Sequence, residues 1–301
     1  MEKNFVIKLE TGETLNGVSY LVEDATRNLT IITGMQEYAR RYKNFASKMN
    51  KEKINVFVLD AFGQGDNVSE VEELQIWPED AFKKNVDGIA KMIELAKENK
   101  LPTYHMGHSM GSFMTQSLLE RYPLIANGVI LCGSNGGQGS LMSAGYLLSK
   151  KSGRNPRKRD LPNPFLTNLS LGGYSKAVKN RKTDLDWLSF DEENVKKYIA
   201  DPYCGHPNTS GFWYEFMKGM KDIWKSKNLR KIDVNEKILI IAGAEDPVGR
   251  NGKGPAWLKK KYTSLGLQKV DLKIYQNMRH EILNEKDSHL VEKDILAFIN
   301  N

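Results

Sequence analysis

Five residues, Gly107-His108-Ser109-Met110-Gly111, constrain the fold of this chain more than any other feature. They spell G-x-S-x-G between a short strand-like run, 104–106, and a helix-like stretch, 112–122, which Pro123 ends. A serine on a sharp strand-to-helix turn is pushed out of a sheet, where its hydroxyl can attack a substrate. The flanking glycines suit a strained turn that leaves little room for side chains. The pattern alone is weak, and its other reading is a glycine-rich loop with an ordinary serine. The strand before it and the helix after it favour Ser109 as a nucleophile.

A nucleophilic serine needs a base, and the base needs an orienting carboxylate. On a sheet of this kind they follow in the order Ser, Asp or Glu, His, each just past a strand. Residues 237–242, Lys-Ile-Leu-Ile-Ile-Ala, form a largely apolar run expected of a strand buried on both faces. Gly243-Ala244-Glu245-Asp246-Pro247 follows, which makes Asp246 the candidate acid and Glu245 its competitor. Residues 270–275 read as another strand, and His280 falls on the loop leaving it. Of the other histidines, His105 lies inside the strand before the nucleophile and reads as core. His108 is the variable position of the motif. His206 lies in the middle region, within reach of a substrate, and His289 sits in a late helical stretch.

The rest of the chain supplies the matching framework. Residues 5–10 and 15–22 flank the turn Thr11-Gly12-Glu13-Thr14 and read as an edge hairpin. Strands follow at 29–32 and 55–60, with a helix at 38–50 between them. A long helix at 81–99 carries apolar Val86, Ile89, Met92, Ile93 and Leu95. Residues 129–131 give a further strand ending at Cys132, and the last helices lie at 254–264 and 286–300. Strands alternating with helices predict an α/β fold, a mostly parallel sheet with helices on both faces.

That rhythm breaks after Ser134 and returns at Lys237. The intervening stretch offers helical pieces but no convincing buried strand. Ser189-Phe190-Asp191-Glu192 is a capping-box pattern, so a helix is expected from Ser189. Another is expected over 211–224, rich in aromatics and methionines. The expected organisation is a core of 1–134 and 229–301 with a helical cap inserted at 135–228. The aromatic and methionine side chains either form the cap's own core or line an acyl pocket, for which flexible methionines are suited.

A tetrahedral intermediate needs fixed donors for its oxyanion. One is the backbone N–H of Met110, after the nucleophile. The other should come from the loop after the third strand, Thr33-Gly34-Met35-Gln36-Glu37-Tyr38. Met35 is preferred and Gln36 is the alternative. Gly34 and His108 beside these groups, and Phe212 and Met217 in the cap, are the candidate substrate contacts.

Composition narrows the class. Hydrophobic residues make up 40% and charged residues 27%, ordinary for a soluble globular protein. No run approaches the ~18 to 20 apolar residues of a membrane span. The first residues hold no signal-peptide core. The two cysteines, Cys132 and Cys204, give neither a disulfide framework nor a metal site. A cytoplasmic protein without metal or organic cofactor is expected. The net charge of +7 favours anionic surfaces, but no nucleic-acid motif accompanies it. Six basic residues fall within 150–159, either a solvated loop or a patch that attracts anionic headgroups at a membrane surface.

The chain resembles the lysophospholipase and monoacylglycerol-lipase branch of the α/β-hydrolases, which includes serine aminopeptidases. Gly34-Met35-Gln36-Glu37-Tyr38 with Arg41-Tyr42 is similar to the family's H-G-x-x-E-H…R-Y segment. Gly63-Gln64-Gly65 after Asp60 is similar to its D-x-x-G-x-G turn, and Gly107 to Gly111 to its G-H-S-M-G elbow. Asp186-Trp187-Leu188-Ser189 and Asp201-Pro202-Tyr203-Cys204-Gly205 resemble cap segments of bacterial lysophospholipases. Glu245 to Gly249 and Arg279 to Glu285 resemble the acid and base loops. The resemblance implies a catalytic Ser109, Asp246 and His280, an oxyanion hole at Met35 and Met110, and an ester or monoacyl-lipid substrate. Thr33 and Tyr38 stand where the family has histidines. Short-chain carboxylesterase and serine aminopeptidase activity are the rival expectations. An aminopeptidase would need a cap carboxylate, with Glu192, Glu193 and Glu215 as candidates. A non-catalytic binding protein is the rival from another class.

Overall fold

The computed structural model describes residues 1–300. The chain begins with an antiparallel hairpin, β1 (Glu2–Lys8) and β2 (Thr14–Tyr20). Then follow β3 (Arg27–Ile32), α1 (Lys43–Lys51), β4 (Ile54–Leu59), α2 (Ala81–Lys97), β5 (Thr103–His108), α3 (Met110–Arg121) and β6 (Gly128–Cys132). Between β6 and the next strand the chain is helical: α4 (Gly139–Gly153), α5 (Pro164–Ala177), α6 (Glu192–Ala200), α7 (Ser210–Met220) and the short α8 (Ser226–Leu229). β7 (Lys237–Gly243), α9 (Lys253–Ser264), β8 (Lys269–Tyr275) and α10 (Ser288–Asn300) complete it.

The eight strands form one sheet in the order β1-β2-β4-β3-β5-β6-β7-β8. From β4 onward every neighbouring pair is parallel; only β1 with β2 and β2 with β4 are antiparallel. This is the expected α/β architecture. Every residue of β4, β5 and β6 is buried; β4 and β6 are accordingly largely apolar, whereas β5 buries Thr103, His105 and His108. On one face Val86, Ile89, Met92 and Ile93 of α2 pack with Leu118 of α3 and Leu258 of α9. On the other, Phe45 and Met49 of α1 pack with Val291, Ile295 and Phe298 of α10. The parallel strands therefore end together on one edge, and the loops that leave them converge there.

Two expectations are corrected. Helix α6 begins at Glu192, not Ser189, and its cap is Asp191, whose carboxylate accepts from Glu193 N–H. Ser189 is extended, and its hydroxyl donates instead to Glu285 at 2.8 Å. The basic run is not one loop: Lys150 and Lys151 form the last turn of α4. Among the described residues, no helix is long and apolar enough to cross a membrane.

Candidate active site

Ser109 sits between β5 and α3 with φ +51°, a left-handed conformation that few side-chain-bearing residues adopt. Its N–H donates to Cys132 O at 2.9 Å, fixing the turn against the neighbouring strand β6. The turn admits no bulk on either side. A Cβ at Gly107 would lie 2.2 Å from Thr115 Oγ1, and one at Gly111 would lie 2.5 Å from Ile32 O. The two motif glycines are thus demanded by packing against α3 and β3.

The structure brings Ser109, His280 and Asp246 into one hydrogen-bonded line. His280 Nε2 lies 2.7 Å from Ser109 Oγ, and His280 Nδ1 lies 3.0 Å from Asp246 Oδ2. Asp246 is fully buried after β7, and its other oxygen accepts from Val248 N–H at 2.8 Å. Glu245, the competing carboxylate, is exposed to solvent. The His280 ring is held between Trp187 and His108, with centroids 5.2 and 5.1 Å away. An Nδ1–H directed at Asp246 leaves Nε2 as the acceptor facing the serine hydroxyl.

The loop after β3 borders the same point. Among the described residues, neither Met35 N–H nor Met110 N–H has a hydrogen-bond acceptor, and both residues line the cavity with Ser109. Gly34 is needed there, since a Cβ would sit 2.6 Å from Glu37 Oε1 and 3.1 Å from Ser109 Cβ. Gln36 also lines the cavity and adopts φ +61°; its carbonyl accepts from Tyr198 OH and Gly205 N–H, and its side-chain amide donates to His206 O. Gln64 supports the loop from below, donating to Gly34 O, to Glu37 O and, at 3.4 Å, to Thr33 Oγ1. Tyr38 donates to Asp201 at 2.9 Å. Both departures from the family pattern, Thr33 and Tyr38, are therefore hydrogen-bonded to other segments of the chain.

His108 lines the cavity, and its Nδ1 lies 2.7 Å from Glu37. Burial works against a charged imidazole there, but the Glu37 carboxylate outweighs it and holds the His108 pKa above its ordinary value. His105 is fully buried between Thr30 and Thr115, and burial pushes its pKa down to about 3. His206 contributes only its carbonyl to the loop and does not line the cavity; His289 is exposed on α10.

A cavity of about 320 Å³ runs from Ser109 between the sheet and the helical segment. Met217 lines it, but Phe212 does not: it is fully buried against Trp77, ring centroids 4.5 Å apart, and belongs to the core. Its neighbour Trp213 lines the cavity instead, with Met217, Met220 and Trp224 along one face of α7 and the turn after it. The signal was in the sequence, because 213, 217, 220 and 224 recur at helical spacing. Phe113, Met142 and Tyr174 complete the apolar wall. Glu192 and Glu193 are absent from the lining, and Glu215 is buried, accepting from Asp80 N–H and Lys218. The lining carboxylates, Glu37 and Glu281, are both saturated by protein donors.

Known proteins resemble this chain in sequence and fold. Residues 23–287 match the family described as serine aminopeptidase, S33. A monoacylglycerol lipase of Mycolicibacterium smegmatis is 24% identical over 273 residues, covering 88% of this chain and 85% of that protein. A thermostable carboxyl esterase from Bacillus coagulans, solved in complex with glycerol, superposes with a TM-score of 0.88 at 25% identity, over 99% of this chain and 98% of that one. A soluble variant of monoglyceride lipase from Saccharomyces cerevisiae, with a substrate analogue, gives a TM-score of 0.74 at 16% identity, over 100% and 94%. With that match over most of its length, this chain is a member of the serine aminopeptidase S33 family of α/β-hydrolases.

Proposed function

We propose that the chain hydrolyses the carboxylic ester of a monoacyl lipid, with monoacylglycerol as the foremost substrate and lysophospholipid as the alternative. The observation that carries this reading is the apolar cavity ending at Ser109 Oγ, walled by methionine and aromatic side chains suited to an alkyl chain. The names of the similar proteins support the ester.

In this reading Ser109 Oγ attacks the ester carbonyl while its proton passes to His280 Nε2. Met35 and Met110 N–H hold the oxyanion. The intermediate collapses, the acyl C–O bond to the alcohol breaks, and His280 returns the proton to the departing alkoxide oxygen. Water, deprotonated by His280, then attacks the acyl-enzyme; the fatty acid leaves and Ser109 regains its proton. Asp246 fixes the imidazole tautomer throughout. Gly34 lets the substrate carbonyl approach, and His108 and Met217 contact the substrate. Residues 135–228 act as a cap over the core of 1–134 and 229–301.

A free α-amine would need an uncommitted carboxylate near Ser109, and both carboxylates of the lining are already engaged, which disfavours an aminopeptidase. The intact Ser, His and Asp line disfavours a non-catalytic binding protein. The test is a series of aryl esters with acyl chains from four to ten carbons, beside an aminoacyl anilide. Each methylene buried in the cavity should raise kcat/KM about threefold to fourfold, following the ~0.8 kcal/mol of a buried CH₂. A flat or falling series would make this a short-chain esterase, and anilide turnover would restore the peptidase.

Transient contact with a lipid surface belongs to the same proposal. Leu141, Leu148 and Leu169 line the cavity yet are more than half exposed, and Leu147 and Phe165 stand exposed beside them. Lys150, Lys151 and Arg154 border a surface depression together with the exposed Leu147. Replacing these three cations with glutamine should weaken binding to vesicles containing anionic phospholipid by about 10²-fold, at ~1 kcal/mol per charge. Unchanged sedimentation with the vesicles would reduce the basic run to a solvated surface.

A further inference from the structure

We infer that Arg41 is a positioning residue that locks the oxyanion loop and the His280 loop into one register, an inference that rests on the proposed hydrolase reading. Its guanidinium reaches both loops. Arg41 Nη1 donates to Glu37 Oε2 at 3.0 Å and to Glu281 Oε1 at 2.7 Å, while Nη2 donates to Glu281 Oε2 at 2.9 Å. Glu281 directly follows His280. Glu37 lies on the oxyanion loop, and its Oε1 accepts from Gly34 N–H, one residue before the proposed donor Met35. Arg41 also lies 4.9 Å over the ring of Tyr198, whose hydroxyl donates to Gln36 O at 2.9 Å.

The arrangement is costly unless it is complete. The side chains of Arg41, Glu37 and Glu281 are only 11%, 5% and 3% exposed. A buried ion pair is weak evidence for stability, because packed apolar residues usually do as well. Here it joins two loops 240 positions apart in sequence that must meet within a fraction of an ångström at Ser109. Two carboxylates face one guanidinium, and His108 Nδ1, 2.7 Å from Glu37, is a further hydrogen-bond partner of that carboxylate. The remaining titratable groups packed on the cluster, Tyr42, Tyr198 and Cys204, are kept neutral by burial, which pushes their pKa values up. Asn194 and Asn284 fill the remaining acceptor sites of Glu281. Those Asn194 and Arg41 contacts hold the Glu281 carboxyl down at about 2 despite its burial.

The test measures ester turnover and the rate of Ser109 phosphonylation by a fluorophosphonate in Arg41→Met, Arg41→Lys, Glu281→Gln and the Arg41→Met/Glu281→Gln double variant. Arg41→Met should lower kcat about 10²-fold with KM changed less than about threefold, as expected for lost register rather than lost binding. Phosphonylation should slow in parallel. Arg41→Lys, which keeps the charge but loses the fork, should recover about tenfold of the loss. The double variant should be no slower than Arg41→Met, since both substitutions cut the same tie. Phosphonylation of Arg41→Met at the wild-type rate, or strictly additive losses in the double variant, would overturn the inference. If Arg41→Met does not fold, Arg41→Lys decides: wild-type kcat and labelling in that variant would overturn it equally. A wild type that labels but hydrolyses no lipid ester would refute the substrate reading alone.

Discussion

Ser109→Ala is expected to lower kcat by about 10⁵- to 10⁶-fold, the loss typical of removing a nucleophile that works as a unit with its base. The geometry makes this substitution clean. Alanine keeps the Cβ that the elbow already accommodates at φ +51°, so no new strain enters. The only hydrogen bond lost by the hydroxyl is the one at 2.7 Å to His280 Nε2. Ser109 lines the cavity, so His280 Nε2 keeps a route to solvent. Its midpoint of thermal unfolding should therefore stay within a few degrees of wild type, equivalent to about 1 kcal/mol or less. Fatty-acid release and fluorophosphonate labelling should both vanish together. Residual turnover above one part in a thousand would place the nucleophile elsewhere.

The second large effect is expected at Asp246→Asn, which should lower kcat by about 10⁴-fold with KM little changed. Asp246 Oδ1 accepts from Val248 N–H, and Oδ2 faces His280 Nδ1. An asparagine must keep its oxygen toward Val248, because its NH₂ cannot accept. The amide nitrogen then faces Nδ1 and donates to it. That forces the proton onto Nε2, the atom that has to take the proton of Ser109. The pocket is otherwise filled isosterically, so the fold should be retained. Stopped-flow kinetics should show a slowed acylation burst. A loss below tenfold would mean that Asp246 does not set the tautomer.

Strands β4, β6 and β7 were readable because they are buried along nearly their whole length, which forces largely apolar runs whatever the partner. The line from Ser109 to Asp246 and His280 was readable because each lies on the loop leaving a parallel strand, β5, β7 or β8, and parallel strands bring those ends together. Other features depended on tertiary choices that no local pattern records. Ser189 has the composition of a helix cap, yet Glu285, 96 positions away, takes its hydroxyl, and the helix starts at the next available cap, Asp191. Phe212 and Trp213 are adjacent on α7 and about 100° apart around it. Which of them faces the cavity is decided by Trp77, which packs on Phe212. Helices α4 and α5 carry Leu147, Leu161, Phe165 and Leu169 exposed on or between them, so no polar face marks their periodicity. The link from Arg41 to Glu281 spans 240 positions and appears only once both loops are in place.

Turnover of a monoacyl lipid at Ser109 can be tested directly. The direct measurement is fatty-acid release from a monoacylglycerol and from a lysophospholipid of the same acyl chain, beside a short-chain aryl ester. Monoacylglycerol hydrolysis with a kcat/KM at least equal to that of the short ester is the predicted result. Cleavage of the short ester alone would contradict it.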